Sequence, residues 1–488
     1  MKFIVKLFPE ITIKSKPVRK RLVQQLRQNI KIIGQRIDPG LDVKGQWDAL
    51  QVNPSENLDR TIELQLIDAL QSTPGIAHFL EVREYPLGDF DDILAKAQRA
   101  FEQQLDGKVF CLRVRRSGQH DFRSIDVERY VGGGLNRLTN AKGVSVSKPE
   151  VTVNIEIKDQ KLYLVENRYE GLGGFPLGSQ DSTLSLVSGG FDSTVASYLM
   201  MKRGIRTHFL FFNLGGRAHE IGVKQVALYL WQKFGSSARV KFITVPFEEV
   251  VGEILQSVHH SHMGVILKRM MMRAGERVAD RMKLDALVTG ESIAQVSSQT
   301  LPNLKLIDNA TDALVIRPLI TMDKQAIIDI ATDIGTYEFA ATMPEFCGVI
   351  SDRPTTCAKR ERVEEEESNF DYDVLDRALE KTQVISIDDI VEDVNVNAEV
   401  EALTKVSANQ VIIDVRAPQE CERKPLNMPG CEVIEVPFFK LESAFEELDR
   451  SKEYLLYCDK GVMSQLHAQT LQDKGYENVK VYRPGAEA

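Results

Sequence analysis

Two short stretches of this chain carry residue types that do chemistry. Ser188-Gly189-Gly190-Phe191-Asp192-Ser193 gathers paired glycines, hydroxyls and a carboxylate, and Cys458-Asp459-Lys460-Gly461-Val462-Met463-Ser464 opens on a thiol. In the first, the glycines let the backbone turn sharply and aim N–H groups at a phosphate, while Ser188, Ser193 and Thr194 add hydroxyl donors. Leu184-Ser185-Leu186-Val187 before it suits a buried parallel strand, and 194–203 carries apolar residues at helical spacing before Gly204. A strand, a Gly/Ser loop and a helix N-terminus in that order make an anion site. The loop lacks the G-x-x-x-x-G-K-[ST] arrangement, so it supplies no lysine of its own to terminal phosphates.

Cys458 follows a second predicted strand, 454–457, and also opens a helix. Helix N-termini lower a thiol's pKa, and the N–H groups of 459–464 suit a persulfide, whose charge needs many donors. Asp459 works against this by placing a carboxylate beside the sulfur, and Lys460 offsets it. Cys347 lies in Met343-Pro344-Glu345-Phe346-Cys347-Gly348, a loop by its proline and glycine, and Cys357 is an equal candidate on residues alone. The six cysteines include no C-x-x-C pair, which argues against a disulfide framework, a zinc ribbon or a four-cysteine cluster. In His259-His260-Ser261-His262 only two imidazoles share a helix face, so the run reads as a solvated helix end and no metal site is expected.

The elements that position these loops follow from periodicity. The 488 residues, 43% hydrophobic and 27% charged, are enough for about three domains of ~150 residues each. No apolar run approaches the ~18 residues of a membrane span, and Pro9 breaks the N-terminal apolar stretch too early for a secretory signal. A cytoplasmic enzyme without a membrane partner is expected. Net charge is −9, but residues 1–170 hold 27 Lys and Arg against 23 Asp and Glu. Phosphate-backbone contacts are therefore sought in this basic third.

There, a strand at 3–7 precedes a helix at 16–33 bearing Lys16, Arg19, Lys20, Arg21, Arg27 and Lys31. A strand at 109–115 leads into Arg113, Arg115 and Arg116, near His120 and Phe122. Such charges serve either as a solvated face or as an RNA grip, and the residues alone leave both open. Gly171-Leu172-Gly173-Gly174-Phe175-Pro176 is a linker and not a dinucleotide fingerprint, because proline takes the third glycine's place. From 180 to 345 strands (184–187, 207–213, 240–245, 286–289) alternate with helices (220–234, 264–282), as in a doubly wound parallel sheet. An acidic stretch from Glu361 to Glu401 reads as a solvated helix and tether, and Val411-Ile412-Ile413-Asp414-Val415-Arg416 begins a second small α/β unit.

The 188–193 loop resembles the SGGxDS loop of the PP-loop ATP pyrophosphatases. Asp414-Val415-Arg416, the Cys458 loop and Arg483-Pro484-Gly485 resemble a rhodanese-like sulfurtransferase domain. In this order the pieces resemble the bacterial 4-thiouridine synthetase family in its long form, over essentially the whole chain. Lys268-Arg269-Met270-Met271, Thr289-Gly290-Glu291-Ser292, Gln295-Val296-Ser297-Ser298-Gln299-Thr300-Leu301, Arg317-Pro318-Leu319 and Asp323-Lys324 match as well. The resemblance implies a multidomain α/β fold. A ferredoxin-like domain at 1–60 and a THUMP RNA-binding domain at 61–168, both α+β, precede a doubly wound parallel-sheet PP-loop ATP pyrophosphatase domain at 176–350. An acidic linker at 351–404 then leads to a rhodanese-like α/β domain at 405–485.

The resemblance also implies ATP contacts at Leu186, Val187, Lys268, Gly290 and Gln299, beside the loop residues Ser188, Gly189, Gly190, Asp192 and Ser193. Asp192 and Lys324 match positions needed for adenylation, Cys458 the persulfide carrier, and Cys347 its redox partner in a transient disulfide. Lys16, Arg19, Lys20, Arg113, Arg115 and Arg116 are the RNA-binding candidates. The implied reaction is ATP-dependent conversion of uridine eight of tRNA to 4-thiouridine, with Mg2+ arriving as the ATP complex and no tightly bound metal or Fe–S cluster. Implied partners are tRNA, a cysteine desulfurase of the IscS type and a sulfur carrier protein of the ThiS type, and a homodimer stays open. The alternative is sulfur relay to the carrier protein without tRNA modification.

Overall fold

The computed structural model describes residues 2–45, 49–56, 58–214, 216–341, 343, 353–390, 400–407, 409–416, 421–422, 424–458 and 462–484. They form two compact units, Met1–Ser179 and Gln180–Ala488.

The first unit is built on an eight-stranded sheet, β2-β3-β1-β4-β8-β7-β5-β6. Its strands are β1 (Lys2–Leu7), β2 (Asp42–Lys44), β3 (Ala49–Asn53), β4 (Ile76–Pro86), β5 (Val109–Ser117), β6 (Gly143–Val144), β7 (Val151–Lys158) and β8 (Lys161–Glu170). Period-two alternation turns Phe3, Val5 and Leu7 of β1 inward, and helix Lys16–Ile37 lays Leu22, Leu26 and Ile30 in the same core. Leu66, Ile67 and Leu70 of helix Arg60–Gln71 fill that core too, with Ile76 and Phe79 of β4. The N-terminal core therefore runs past the expected boundary at residue 60, because that helix presents its apolar face to β1's side of the sheet. A second core joins helices Phe90–Leu105 and Ser124–Leu138 to Phe110, Leu112 and Val114 of β5. On β5 this burial turns Arg113 and Arg115 to solvent.

The second unit holds two sheets. The larger runs β13-β12-β9-β10-β11-β14, from β9 (Thr183–Leu186), β10 (Thr207–Asn213), β11 (Lys241–Pro246), β12 (Ala286–Val288), β13 (Leu314–Ile316) and β14 (Gln383–Ser386). Strands β9 to β13 are parallel and β14 is antiparallel to β11. The chain winds outward from β9 through β10 to β11, then returns to place β12 on the other side of β9. Ligands of such sheets bind beyond the carboxyl ends of the strands that flank this switch point.

One expectation is corrected here. Much of the 351–404 stretch is part of the sheet domain rather than a solvated linker. Helices Arg360–Ser368 and Tyr372–Glu380 bury Val363, Val374, Leu375, Ala378 and Leu379 in the sheet's core, and β14 closes its edge. Glu367 is buried as well, because Arg269 and Arg273 neutralise it. Of the tether expected from Glu361 to Glu401, the part through Ile390 therefore belongs to this domain, and 391–399 lies outside the described residues.

The smaller sheet is β15-β19-β18-β16-β17, from β15 (Ala402–Leu403), β16 (Gln410–Asp414), β17 (Glu432–Glu435), β18 (Glu453–Tyr457) and β19 (Val479–Tyr482). All its pairings are parallel. It has its own core around Ile413, Leu441, Leu456 and Leu471, with Cys458 at the rim. Among the described residues no helix is long and apolar enough to cross a membrane.

Candidate active site

The 188–193 loop stands at the carboxyl end of β9, next to the switch point. Gly189 adopts φ +84°, a conformation that disfavours any side chain, and helix Phe191–Lys202 begins directly after Gly190. The loop is braced from within. The Ser188 N–H donates to Ser193 Oγ at 3.1 Å, and Thr194 Oγ1 donates to the Gly190 carbonyl at 2.9 Å. His219, on helix Gly216–Leu230, holds the Ser188 carbonyl from outside through Nε2 at 3.0 Å. Burial lowers the His219 pKa, only partly offset by that carbonyl, so the ring is a neutral donor near pH 7.

Asp192 lies in the first turn of this helix, and both its oxygens are held. Lys324 Nζ donates to Oδ1 at 2.8 Å and Gln295 Nε2 donates to Oδ2 at 2.7 Å. Asp323 caps the helix that starts at Lys324 by accepting from the Ala326 N–H, which fixes where the lysine emerges. Gly290, beyond the end of β12, packs against the same turn. A Cβ there would stand 2.5 Å from the Asp192 carbonyl carbon and the Ser193 nitrogen, so only glycine lets the chain after β12 come this close to the first turn of helix Phe191–Lys202.

Next to Gly290, Glu291 is 3% exposed and accepts from Lys268 Nζ, Arg317 Nε and Thr289 Oγ1 at 2.8, 2.8 and 3.0 Å. Burial alone would raise its carboxyl; Lys268 and Arg317 outweigh that and hold it down at about 2. Because the folded pKa lies below the unfolded one, the stabilisation is complete above about 4.5 and is lost as pH falls through about 2. Glu291→Gln is expected to destabilise the protein by roughly 3 kcal/mol at pH 7 and to flatten its stability profile in that acid window. Denaturant unfolding of both proteins across the window checks this.

The structure thus brings Leu186, Val187, Ser188, Gly189, Gly190, Asp192, Ser193, Gly290 and Lys324 to one rim, with Lys268 behind Gly290 through Glu291. Gln299 joins them through the 294–299 turn, in which the Ala294 N–H donates to the Gln299 carbonyl. Gln299 is 7% exposed, and its Oε1 is buried without a hydrogen-bond partner among the described residues. A buried amide oxygen left open in this way is free to accept from a ligand.

Gln295, Glu291, Arg317 and His219 were missed as site residues. Three of them stand in stretches quoted for their resemblance, but their role rests on partners distant in sequence. His219 had no local signal.

Cys458 follows β18 and is 7% exposed. Its sulfur accepts the Ser464 N–H at 3.3 Å and lies 3.5 Å from Ser464 Oγ, at the start of helix Val462–Asp473. Arg483 stands beyond the end of the neighbouring strand β19, where burial lowers its pKa and its interaction with Cys458 partly offsets this. Asp414 and Arg416 form a buried pair at 2.6 Å at the end of β16, the strand beside β18, where Asp414 is in register with Tyr457. Cys347, Asp459 and Lys460 lie outside the described residues. Cys357 is exposed, and its neighbours are pinned to the Gln299 region: the Thr356 carbonyl accepts from Thr300 and the Ala358 N–H donates to Asn303.

The basic candidates Lys16, Arg19 and Lys20 stand at the start of helix Lys16–Ile37, and Arg113, Arg115 and Arg116 on β5. These two groups attach to separate cores of the first unit. Arg116 also contacts His120 Nδ1 at 3.0 Å and lies over the Phe122 ring. In the 259–262 run, Ser261 Oγ contacts both His259 Nδ1 and His262 Nδ1.

A family model described as thiamine biosynthesis protein (ThiI) matches residues 178–372, a THUMP domain model matches 88–165, and a rhodanese-like domain model matches 397–488. The tRNA sulfurtransferases of Azotobacter vinelandii and Pseudomonas putida are each 57% identical over 484 residues, 99% of this chain and 100% of theirs. A solved 4-thiouridine synthetase–RNA complex with bound ATP superposes with a TM-score of 0.70 at 26% identity, covering 79% of this chain and 99% of its own. PH1313 from Pyrococcus horikoshii shares the fold, with a TM-score of 0.53 at 16% identity, over 69% of this chain and 100% of its own. With full-length identity of this order on top of a glycine-cradled carboxylate and a helix-capped thiol, the chain belongs to the tRNA sulfurtransferase family.

Proposed function

We propose that this protein converts uridine eight of tRNA to 4-thiouridine, using ATP and a persulfide carried on Cys458. The reading is carried by Asp192, held by Gln295 and Lys324 at the mouth of the Gly189–Gly190 cradle. The solved 4-thiouridine synthetase named above, with RNA and ATP bound, supports it.

Uridine O4 is a poor leaving group. It attacks the α-phosphorus of ATP, pyrophosphate departs, and the base is left adenylated. The loop N–H groups and Lys324 stabilise charge that develops on the phosphates. Mg2+ enters as part of the ATP complex. A cysteine desulfurase of the IscS type charges Cys458. The terminal sulfur of the persulfide attacks C4, and AMP leaves with the electron pair of the C4–O4 bond. The Cys347 thiolate then attacks Cys458 Sγ, the base leaves as 4-thiouridine, and a Cys347–Cys458 disulfide remains for a thiol reductant.

Purified protein with ATP, Mg2+, cysteine desulfurase, a thiol reductant and unmodified tRNA is expected to generate the absorbance of thiolated uridine. No product from the wild type overturns the proposal. A second role, sulfur relay to a ThiS-type carrier for thiazole synthesis, is supported by the placement of Cys458 on a sheet separate from the one that carries the cradle. It needs no ATP cradle and survives loss of Asp192.

The RNA grip is proposed for Lys16, Arg19 and Lys20 and for Arg113, Arg115 and Arg116. Charge reversal (Lys16→Glu with Lys20→Glu, or Arg113→Glu with Arg115→Glu) is expected to raise the tRNA Kd about tenfold. Each lost phosphate contact lowers the salt slope by ~0.9, and ATP affinity is unchanged. Filter binding over a salt series measures both.

A further inference from the structure

The short helix Tyr337–Ala341 has two aromatic rings that face different parts of the second unit. Tyr337 meets Phe191, the first residue of the phosphate-loop helix, with ring centroids 5.4 Å apart. Phe191 in turn lies under Lys324, whose Nζ is 5.5 Å from the ring centroid. Phe339 points the other way and packs against the core that contains Cys458. It stands between Tyr229 at 5.0 Å and Phe438 at 5.5 Å, and Phe438 continues to His467 at 5.8 Å.

The far ends of this ring series bear on both reactive loops. Tyr229 belongs to helix Gly216–Leu230, which also carries the His219 that holds Ser188, and its hydroxyl donates to the Ile334 carbonyl at 2.9 Å. His467 belongs to helix Val462–Asp473, whose first turn holds Cys458 through Ser464. These two helices pack on each other. The phosphate cradle and the thiol are therefore braced by one contact, with Phe339 in its middle.

We propose that Phe339 is a positioning residue for sulfur transfer: it seats the Cys458 domain on the adenylation domain, so that the thiol loop is held at a set place relative to the phosphate cradle. This rests on the function proposed above. Phe339 touches neither ATP nor sulfur. Its ring gives tilted aromatic contact on both sides that a smaller side chain does not, and misplacement by about 1 Å at a reacting centre costs up to ~100-fold in rate. Binding of either substrate, and each half-reaction by itself, does not need the contact.

The test uses the full chain and three assays: thiolation of unmodified tRNA from a preloaded Cys458, tRNA-dependent pyrophosphate release from ATP, and sulfur transfer from thiosulfate to cyanide. Phe339→Ala is expected to lower kcat for thiolation by roughly 10- to 100-fold without raising KM for tRNA or ATP. Pyrophosphate release and cyanide transfer stay within about twofold of wild type, and Phe339→Tyr restores thiolation. Phe438→Ala, on the opposite side of the contact, gives the same split, and the double variant is no slower than the slower single one. Thiolation by Phe339→Ala within about twofold of wild type overturns the positioning role, as does a parallel fall in cyanide transfer. A wild type that releases pyrophosphate and feeds cyanide but never thiolates tRNA overturns the underlying function, and the positioning role with it.

Discussion

Asp192→Ala is expected to abolish tRNA thiolation, by at least ~100-fold, while thiosulfate-to-cyanide transfer through Cys458 stays at the wild-type rate. The magnitude follows from what the carboxylate holds. Its two oxygens accept from Lys324 and Gln295 at 2.8 and 2.7 Å, so one side chain positions a cation and an amide at the cradle's mouth. Without it, Lys324 is left over the Phe191 ring with no carboxylate to aim it. A preorganised charge then becomes a mobile one, and preorganisation is what makes such groups effective at a developing phosphoryl charge. Asp192→Asn keeps the shape and loses the charge, and is expected to be nearly as slow. The measurement is tRNA-dependent pyrophosphate release alongside thiolated-uridine absorbance, and both must fall together. Thiolation persisting in Asp192→Ala would remove the cradle from the mechanism. Loss of cyanide transfer as well would mean that the domain had unfolded.

Cys458→Ser reverses that pattern. A hydroxyl forms no persulfide under these conditions, so thiolation is expected to fall by ~1000-fold or more, and pyrophosphate release on adding tRNA continues. The packing cost is small, because serine keeps a donor to Ser464 in a place already 7% exposed. Cyanide transfer disappears, which separates this variant from Asp192→Ala in a single assay. Mixed in one reaction, the two variants do not complement if sulfur must pass within a chain. Cys347→Ser is expected to trap the base on Cys458 as a disulfide that added dithiol releases, and Cys357→Ser to behave as wild type. Trapping in Cys357→Ser instead would exchange the roles of the two thiols. The exposed Cys357 beside the Gln299 segment makes that comparison necessary.

How much of this was legible in the chain varies with the range of the interaction. Loop 188–193 was readable because its chemistry is local: glycines for a φ of +84° and hydroxyls within hydrogen-bond reach of their own backbone. The same holds for β10, β1 and β5, where apolar residues crowd or alternate over a few positions. Cys458 was legible too, as a thiol between a strand and a helix. Glu361 to Glu380 was misread. Its acidic composition suggested solvent, whereas the arginines that neutralise Glu367 lie nearly a hundred residues earlier, at Arg269 and Arg273.

By itself, then, the sequence determined which backbone segments turn, which face of each strand is apolar, and where hydroxyls, a carboxylate or a thiol stand between a strand and a helix, because those properties depend on neighbours a few residues apart. The tertiary structure alone decided partners. It put Gly290 against Asp192, Gln295 and Lys324 on one carboxylate, Glu291 between Lys268 and Arg317, and Phe339 between Tyr229 and Phe438. Each of these spans a fold-level return of the chain to β9 or a seam between two sheets, and no periodicity encodes such a return. It arises only when separate apolar faces are buried together and the polar groups trapped among them must find one another.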